Sequence, residues 1–156
     1  RVDVKFAQNM HAVLVEYAQA ATIFVATAAV ADWRPAQASD QKIKKDGSGN
    51  APVLSFVENG DILSEIAHSP RATNGELFCV GFAAESHDLL AHATAKRARK
   101  GVPMLVGNIG PATFGQDDNA LLLVDAHGSQ ELPRNSKLAL ARQLVAEIAK
   151  RQRATH

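Results

Sequence analysis

Excess charge, paired cysteines and long apolar runs are all missing from this sequence, and each absence removes a class of protein. Its 156 residues carry 17 Lys and Arg against 16 Asp and Glu, a net charge of +1. That balance excludes a generic polyanion binder, so nucleic acid is not an expected partner, although local clusters can still hold a small anion. The one cysteine, Cys79 in Leu77-Phe78-Cys79-Val80-Gly81-Phe82, cannot form an internal disulfide. Its apolar setting predicts a buried, inert thiol and fits a reducing compartment, so a cytoplasmic location is expected. No apolar stretch approaches the roughly 18 residues of a membrane span. The opening Arg1-Val2-Asp3-Val4-Lys5-Phe6 has neither an initiator Met nor a signal-peptide pattern, which predicts a start within a longer protein. Familiar motifs are missing too: no G-x-G-x-x-G, no G-x-x-x-x-G-K-[ST] and no G-x-S-x-G.

What is present is a globular composition, 46% hydrophobic and 21% charged, which rules out a disordered segment and suits one domain over residues 1–156. Residues 2–6 alternate with a period of two and predict a short strand. Met10, Val13, Leu14 and Tyr17 follow helical spacing. Ile23–Ala28 is a continuous apolar run, as expected of a strand covered on both faces. Asp32–Asp40 reads as a loop. Lys42–Lys45 and Val53–Val57 predict a hairpin with Asp46–Asn50 as its flexible tip. Ile62, Leu63 and Ile66 sit at helical spacing, and Leu77–Phe82 is a second buried strand. Residues 88–101 predict a helix with Ala91, Ala95 and Ala98 on its inner face and Gly101 at its end. Met104–Val106, Leu121–Val124 and a segment around Glu131-Leu132 predict three more strands. Asn135 or Ser136 caps a last helix whose apolar side is Leu138, Leu140, Ala141, Leu144, Val145 and Ile148. The alternation predicts an α/β fold, Rossmann-like, with a mostly parallel sheet, helices on both faces and a hairpin flap. Ligands of such sheets bind beyond the carboxyl ends of the strands.

Positive charge gathers at Lys42, Lys44 and Lys45 and again at Lys96, Arg97, Arg99 and Lys100. Lys42 and Lys44 share a face of an extended strand, and Lys96 and Lys100 share a face of a helix, as pairs that hold phosphate oxygens do. The plain alternative is solvated surface, and Lys96 and Lys100 project opposite the alanine face as solvent-facing lysines would. Asp32, at a strand's carboxyl end, suits magnesium or a sugar hydroxyl, or a turn. Asn59-Gly60-Asp61-Ile62 opens a helix, with Asn59 or Asp61 as cap or with free amides for a ligand. Phe82 is core, or a surface for stacking a base. His87 and His92 are the one histidine pair near metal-ligand spacing, but they stand five apart and do not share a helix face cleanly.

These pieces occur in a fixed order. The set is Ala28-Ala29-Val30-Ala31-Asp32-Trp33-Arg34-Pro35, Lys42-Ile43-Lys44-Lys45, Asn59-Gly60-Asp61-Ile62, Val80-Gly81-Phe82-Ala83-Ala84-Glu85, Lys96-Arg97-Ala98-Arg99-Lys100-Gly101, Phe114-Gly115, Asn119 and Ser136-Lys137. In that combination, from Met10 to Ile148, the chain resembles the synthetase domain of bacterial phosphopantothenoylcysteine synthetase. The resemblance implies coenzyme A biosynthesis: the carboxylate of 4′-phosphopantothenate attacks the α-phosphate of CTP, giving an acyl-cytidylate and pyrophosphate, and the amine of cysteine then displaces CMP and forms the amide of 4′-phosphopantothenoylcysteine. It implies Mg2+ with the triphosphate, a homodimer, and FMN only where a decarboxylase domain is fused upstream. It makes Lys42 the catalytic lysine of a flap that orders over nucleotide. Ala26, Thr27, Ala28, Asp32, Asn59, Gly60, Asp61, Ile62, Phe82, Lys96 and Lys100 match nucleotide-contacting positions, with Asp32 also the candidate magnesium ligand. The apolar Leu121–Val124 strand near a hairpin adds an edge for a dimer to cover.

The chain departs from the family at Gly60, usually proline, at Ile109, usually aspartate, and at Pro103, also usually aspartate. The family's domain opens with a strand, a Gly-rich phosphate loop and a catalytic asparagine, and this sequence starts after them. It is therefore expected to fold but to be inactive alone. The alternatives are a non-catalytic nucleotide-binding or dimerisation module, and a Rossmann-type oxidoreductase, which the absent G-x-G-x-x-G disfavours.

Overall fold

Two alternating patterns place the core on either side of one sheet. The computed structural model describes residues 1–37, 41, 42, 44, 47, 49–85, 87–109 and 115–154. In chain order the elements are α1 (Ala7–Ala18), β1 (Ile23–Ala26), β2 (Trp33–Pro35), β3 (Phe56–Glu58), α2 (Ile62–Ala67), α3 (Pro70–Thr73), β4 (Phe78–Glu85), α4 (Leu89–Lys100), β5 (Met104–Ile109), β6 (Asp118–Asp125), β7 (Gly128–Ser136) and α5 (Lys137–Ala154). The main sheet has the order β1-β4-β5-β6-β7. β1, β4 and β5 run parallel, and β6 and β7 are added antiparallel. This is the Rossmann-like α/β architecture expected, with β2 and β3 forming a small antiparallel sheet apart from it.

Successive side chains of a strand face opposite ways, so β4 feeds both layers. Cys79 and Ala83 join Ile62, Ile66, Ala93, Leu105 and Leu122 beneath α1, α2 and α4. Phe78 and Val80 join Met104, Val106, Leu123, Leu132, Leu140, Leu144 and Ile148 beneath α5. Ser136 caps α5 by accepting from the Ala139 N–H at 3.3 Å. The buried stripe of α5 is the narrow row Leu140, Leu144 and Ile148, while Leu138 and Val145 are exposed, contrary to the broader face predicted. Burial pushes the Cys79 thiol up to about 11, the inert state its setting predicted.

Four expectations are corrected. Residues 2–6 form no strand, because among the described residues nothing pairs with them and a period of two needs a neighbour to become a strand. β1 stops at Ala26 and, among the described residues, pairs on one side only, with β4. Its Ile23 and Val25 are 37% and 38% exposed rather than covered. They share the register of Phe78 and Val80, so the bare patch lies on the α5 side of the sheet. The small hairpin pairs Trp33–Pro35 with Phe56–Glu58, not with the lysine segment. Lys42 and Lys44 are exposed and outside any strand, while Ile43, Lys45, Asp46 and Ser48 lie outside the described residues. Finally, Leu121–Val124 is no edge: β6 is flanked by β5 and β7, and all four residues are buried.

Candidate functional site

The carboxyl ends of β1 and β4 meet because the register pairs Ala26 with Gly81. That sets Ala26, Thr27 and Ala28 beside Phe82 at one rim of the sheet. Packing at Gly81 is tight: a Cβ would stand 2.7 Å from the Leu63 Cδ2 of α2 and 2.8 Å from the Leu105 Cδ1, so each leucine would have to shift to admit one. Its absence lets α2 press onto β4 and carry the Asn59–Ile62 turn to the same rim. Phe82 itself is half-buried against the α5-side core. It therefore shares the rim with α2 and α4 but looks to the opposite face.

Asn59 is held from three directions. Its backbone N–H donates to the Asp32 carbonyl at 2.7 Å and its Nδ2 to the Ala31 carbonyl at 2.8 Å. Its Oδ1 accepts from the Arg34 Nη1 at 3.0 Å, and Arg34 also donates to the Glu58 carbonyl at 2.7 Å. This clasp fastens the Asp32 turn to the Asn59 turn, so two sequence-predicted segments are brought together. Arg34 is the residue that sequence reasoning passed over here; its place in Asp32-Trp33-Arg34-Pro35 was the signal. The helix cap is Asp61, whose Oδ1 accepts from the Ser64 N–H at 3.1 Å, so Asn59 is a clasp and not a cap.

The orientation of α4 reverses the expected one. Ala91, Ala95 and Ala98 are exposed, whereas Leu89, Ala93, Lys96 and Lys100 form the inward stripe at helical spacing. Ala93 is fully buried, and the packing is close enough that a Cβ on Gly107 would meet the Leu89 Cδ1 at 2.9 Å. Only two side chains of that stripe are apolar; the aliphatic stems of the lysines complete it and their ammonium groups emerge at the rim. The Lys96 side chain is 29% exposed and that of Lys100 22%, so neither is a plain solvent-facing lysine. Lys100 Nζ is paired with the Asp61 carboxylate at the start of α2. Lys96 Nζ lies 3.8 Å from Glu85 Oε1 at the end of β4. Burial works to raise the Asp61 carboxyl, but the Lys100 hydrogen bond, the Ser64 N–H and the charges of Lys100 and Arg99 together hold it below its usual value. The lysines are thus stored against carboxylates, and an arriving polyanion can compete for them.

Lys42 is exposed, and none of these contacts reaches it. Gly60 is exposed and a Cβ there would meet nothing within 4 Å, so close packing does not demand glycine at this position. A cavity of about 380 Å³ lined by Leu77, Phe78, Arg97, Val102 and Pro103 lies at the amino ends of β4 and β5, the wrong end for this rim. The histidine pair is also corrected. The rings of His87 and His92 meet edge-on with centroids 5.1 Å apart, because His87 precedes the helix and needs no shared helical face.

Residues 1–152 match the family described as the DNA/pantothenate metabolism flavoprotein C-terminal domain. The coenzyme A biosynthesis bifunctional protein CoaBC of Vibrio cholerae is 39% identical over 144 residues, 90% of this chain and 35% of that protein. CoaBC of Escherichia coli is 36% identical over 159 residues, 97% of this chain and 37% of that protein. The chain thus spans little more than a third of the curated relatives it matches. The crystal structure of the CoaBC C-terminal domain superposes with a TM-score of 0.71 at 26% identity, covering 94% of this chain and 63% of that one. The Cab2 mutant H337A, solved with phosphopantothenate-cysteine, shares the fold with a TM-score of 0.64 at 17% identity, covering 85% of this chain and 44% of that one. The motif order, the sheet and the match over residues 1–152 agree: the chain belongs to the DNA/pantothenate metabolism flavoprotein C-terminal domain family.

Proposed function

We propose that this chain is the CTP-binding part of a phosphopantothenate–cysteine ligase of coenzyme A biosynthesis. What supports this reading most is the inward turn of α4, which pairs Lys100 with Asp61 at the start of α2 and brings Lys96 close to Glu85 at the end of β4. CoaBC relatives supply the substrate class. In this reading the nucleotide lies across the carboxyl ends of β1 and β4, its base and ribose against Phe82, Ala26–Ala28 and the Asn59–Ile62 turn. Its phosphates draw Lys100 from Asp61 and Lys96 from Glu85, and the cations offset charge that builds on the phosphate oxygens as the carboxylate of 4′-phosphopantothenate attacks the α-phosphate and pyrophosphate leaves, giving the acyl-cytidylate. The acyl-cytidylate then yields its acyl group to the cysteine amine, with CMP leaving. Lys42, from the segment between β2 and β3, supplies positive charge to that transition state.

Asp32 is an exposed carboxylate and belongs to no group of three or more acidic, histidine or cysteine ligands among the described residues. That donor set fits Mg2+, which keeps waters and takes one or two carboxylates alongside phosphate oxygens. When bound, Mg2+ supplies charge neutralisation on the triphosphate.

The half-exposed Ile23 and Val25 and the one-sided pairing of β1 support a further strand and covering helix contributed by a longer protein, and with them the remaining phosphate-binding groups. The chain alone is accordingly proposed to fold as one domain over residues 1–156 without turning over substrate. A homodimer is proposed through the small β2–β3 sheet, where Trp33 and Phe56 are 61% and 54% exposed. This replaces the Leu121–Val124 edge as its rationale.

The test is to incubate a protein comprising this chain and its upstream segment with CTP, Mg2+, 4′-phosphopantothenate and cysteine. One CMP and one pyrophosphate should appear per amide formed. CTP binding without amide formation by that longer protein would instead support a non-catalytic nucleotide module.

A further inference from the structure

We propose that His87, Asp88 and His92 form a binding site for a borderline divalent transition ion of the Zn2+ class, separate from the Mg2+ that accompanies a nucleotide. One ligand atom from each side chain can be chosen so that all three lie within 4.8 Å of one another. Around a tetrahedral ion with bonds of about 2.0–2.1 Å, donor atoms stand about 3.3 Å apart, so side-chain rotations of about 1.5 Å close the site. His87 and Asp88 are exposed, and the ring contact of His87 is with His92, itself one of the proposed ligands.

The backbone brings the three groups together in an unusual way. Asp88 is the N-cap of α4, yet its side chain makes no capping hydrogen bond. It adopts φ 45° and ψ 44°, the one positive φ among the described non-glycine residues. An aspartate at an N-cap ordinarily turns its carboxylate onto the first helical amides. Here the carboxylate is grouped with two imidazoles instead. The first turn is closed by the His92 N–H donating to the Asp88 carbonyl at 3.0 Å, which fixes His92 one turn above. The Nδ1 of His92 lies 3.5 Å from Glu85 Oε2. A carboxylate behind one ring nitrogen leaves the other, Nε2, to face a metal and raises its basicity, the outer-shell arrangement that accompanies histidine ligands. Two imidazoles and one carboxylate select Zn2+, Co2+ or Ni2+ over Mg2+ and Ca2+, which require oxygen ligands. Three protein ligands also leave a position for water, so this site binds more weakly than a closed four-ligand one.

The site stands on this geometry alone and does not depend on the ligase reading. Its test uses the nucleotide-free chain and Zn2+ as the probe. Calorimetry should show one equivalent bound, and proton NMR should show the ring resonances of His87 and His92 moving while those of His11 and His127 stay in place. The paired variant His87→Gln/His92→Gln should weaken binding at least tenfold, and a hundredfold excess of Mg2+ should not compete. Should that variant misfold, the single His87→Gln change, outside the helix and exposed, carries the same expectation. Zn2+ affinity unchanged in either folded variant, or shifts spread evenly over all the histidines, would overturn the proposal.

Discussion

Replacing Lys100 by Gln separates a ligand-binding lysine from a structural strut. The side chain is 22% exposed and its partner Asp61 is 45% exposed. A pair so close to solvent contributes about 0–1 kcal/mol to folding. In a domain of this size 1 kcal/mol corresponds to about 2–4 °C in Tm, so the free variant should melt within that interval of the parent. A charge-assisted hydrogen bond to phosphate is worth about 1.5–3 kcal/mol, which converts to about 10–150-fold in Kd. Gln also leaves the Asp61 carboxylate at the rim without its cation, and a negative group facing a triphosphate adds to the loss. The double variant Lys100→Gln/Asp61→Asn should therefore recover part of the affinity lost by Lys100→Gln. Calorimetric titration of CTP with Mg2+ gives the affinities, and thermal melts of the free proteins give the stability arm. An unchanged CTP affinity together with a Tm drop well beyond 4 °C would show that Lys100 serves the fold and not the nucleotide.

Other expectations are briefer. In the longer protein, Lys42→Gln should lower kcat while leaving CTP affinity nearly unchanged, since its charge is assigned to the transition state; a matching loss in affinity would contradict that role. Leu140→Ala, in the buried row of α5, should cost about 2–5 kcal/mol in urea unfolding, whereas exposed Leu138→Ala should cost less than about 0.5 kcal/mol. The Asp125 carboxyl is raised by burial but lowered more by the Arg151 hydrogen bond, the His127 N–H and neighbouring positive charge, so its net shift is downward. A depressed carboxyl stabilises the fold above its unfolded pKa, about 3.9, and that stabilisation fades as pH falls through the folded value. Wild type should therefore lose stability relative to Asp125→Asn as pH is lowered from about 4 toward 2, and parallel pH profiles would exclude the pair. Phe56→Asp, on the exposed face of the β2–β3 sheet, should shift sedimentation from dimer to monomer.

Much of the fold was legible because apolar runs and caps are local signals. Leu77–Phe82, Leu121–Val124 and Gly101 as a helix end are read without knowledge of neighbours. What failed depends on partners. Residues 2–6 alternate correctly but lack a strand to pair with, and Ile23–Ala28 reads as buried although, among the described residues, β1 is paired on one side only and Ile23 and Val25 are exposed. The helix α3 was passed over although Ser69-Pro70 announces it, the Ser69 hydroxyl accepting from the Ala72 N–H and Pro70 sitting at the first turn. At the site, the inner face of α4 was misassigned because alanines outnumber leucines there, and lysine stems were not counted as apolar surface. The clasp around Asn59 depends on contacts 25 and 28 residues apart in sequence; the motif that holds Arg34 marks the segment but not its partner. Likewise the His87–His92 contact crosses the helix boundary, where spacing rules for a single helix do not apply.

The most direct measurement is a titration of the 15N-labelled chain with CTP and Mg2+, followed residue by residue. The account predicts saturable shifts confined to Ala26–Ala28, Asp32, Asn59–Ile62, Phe82, and Lys96 and Lys100, with β7 and the carboxyl half of α5 unmoved. Shifts centred on the cavity at the amino ends of β4 and β5, or equal shifts with NAD, would contradict it.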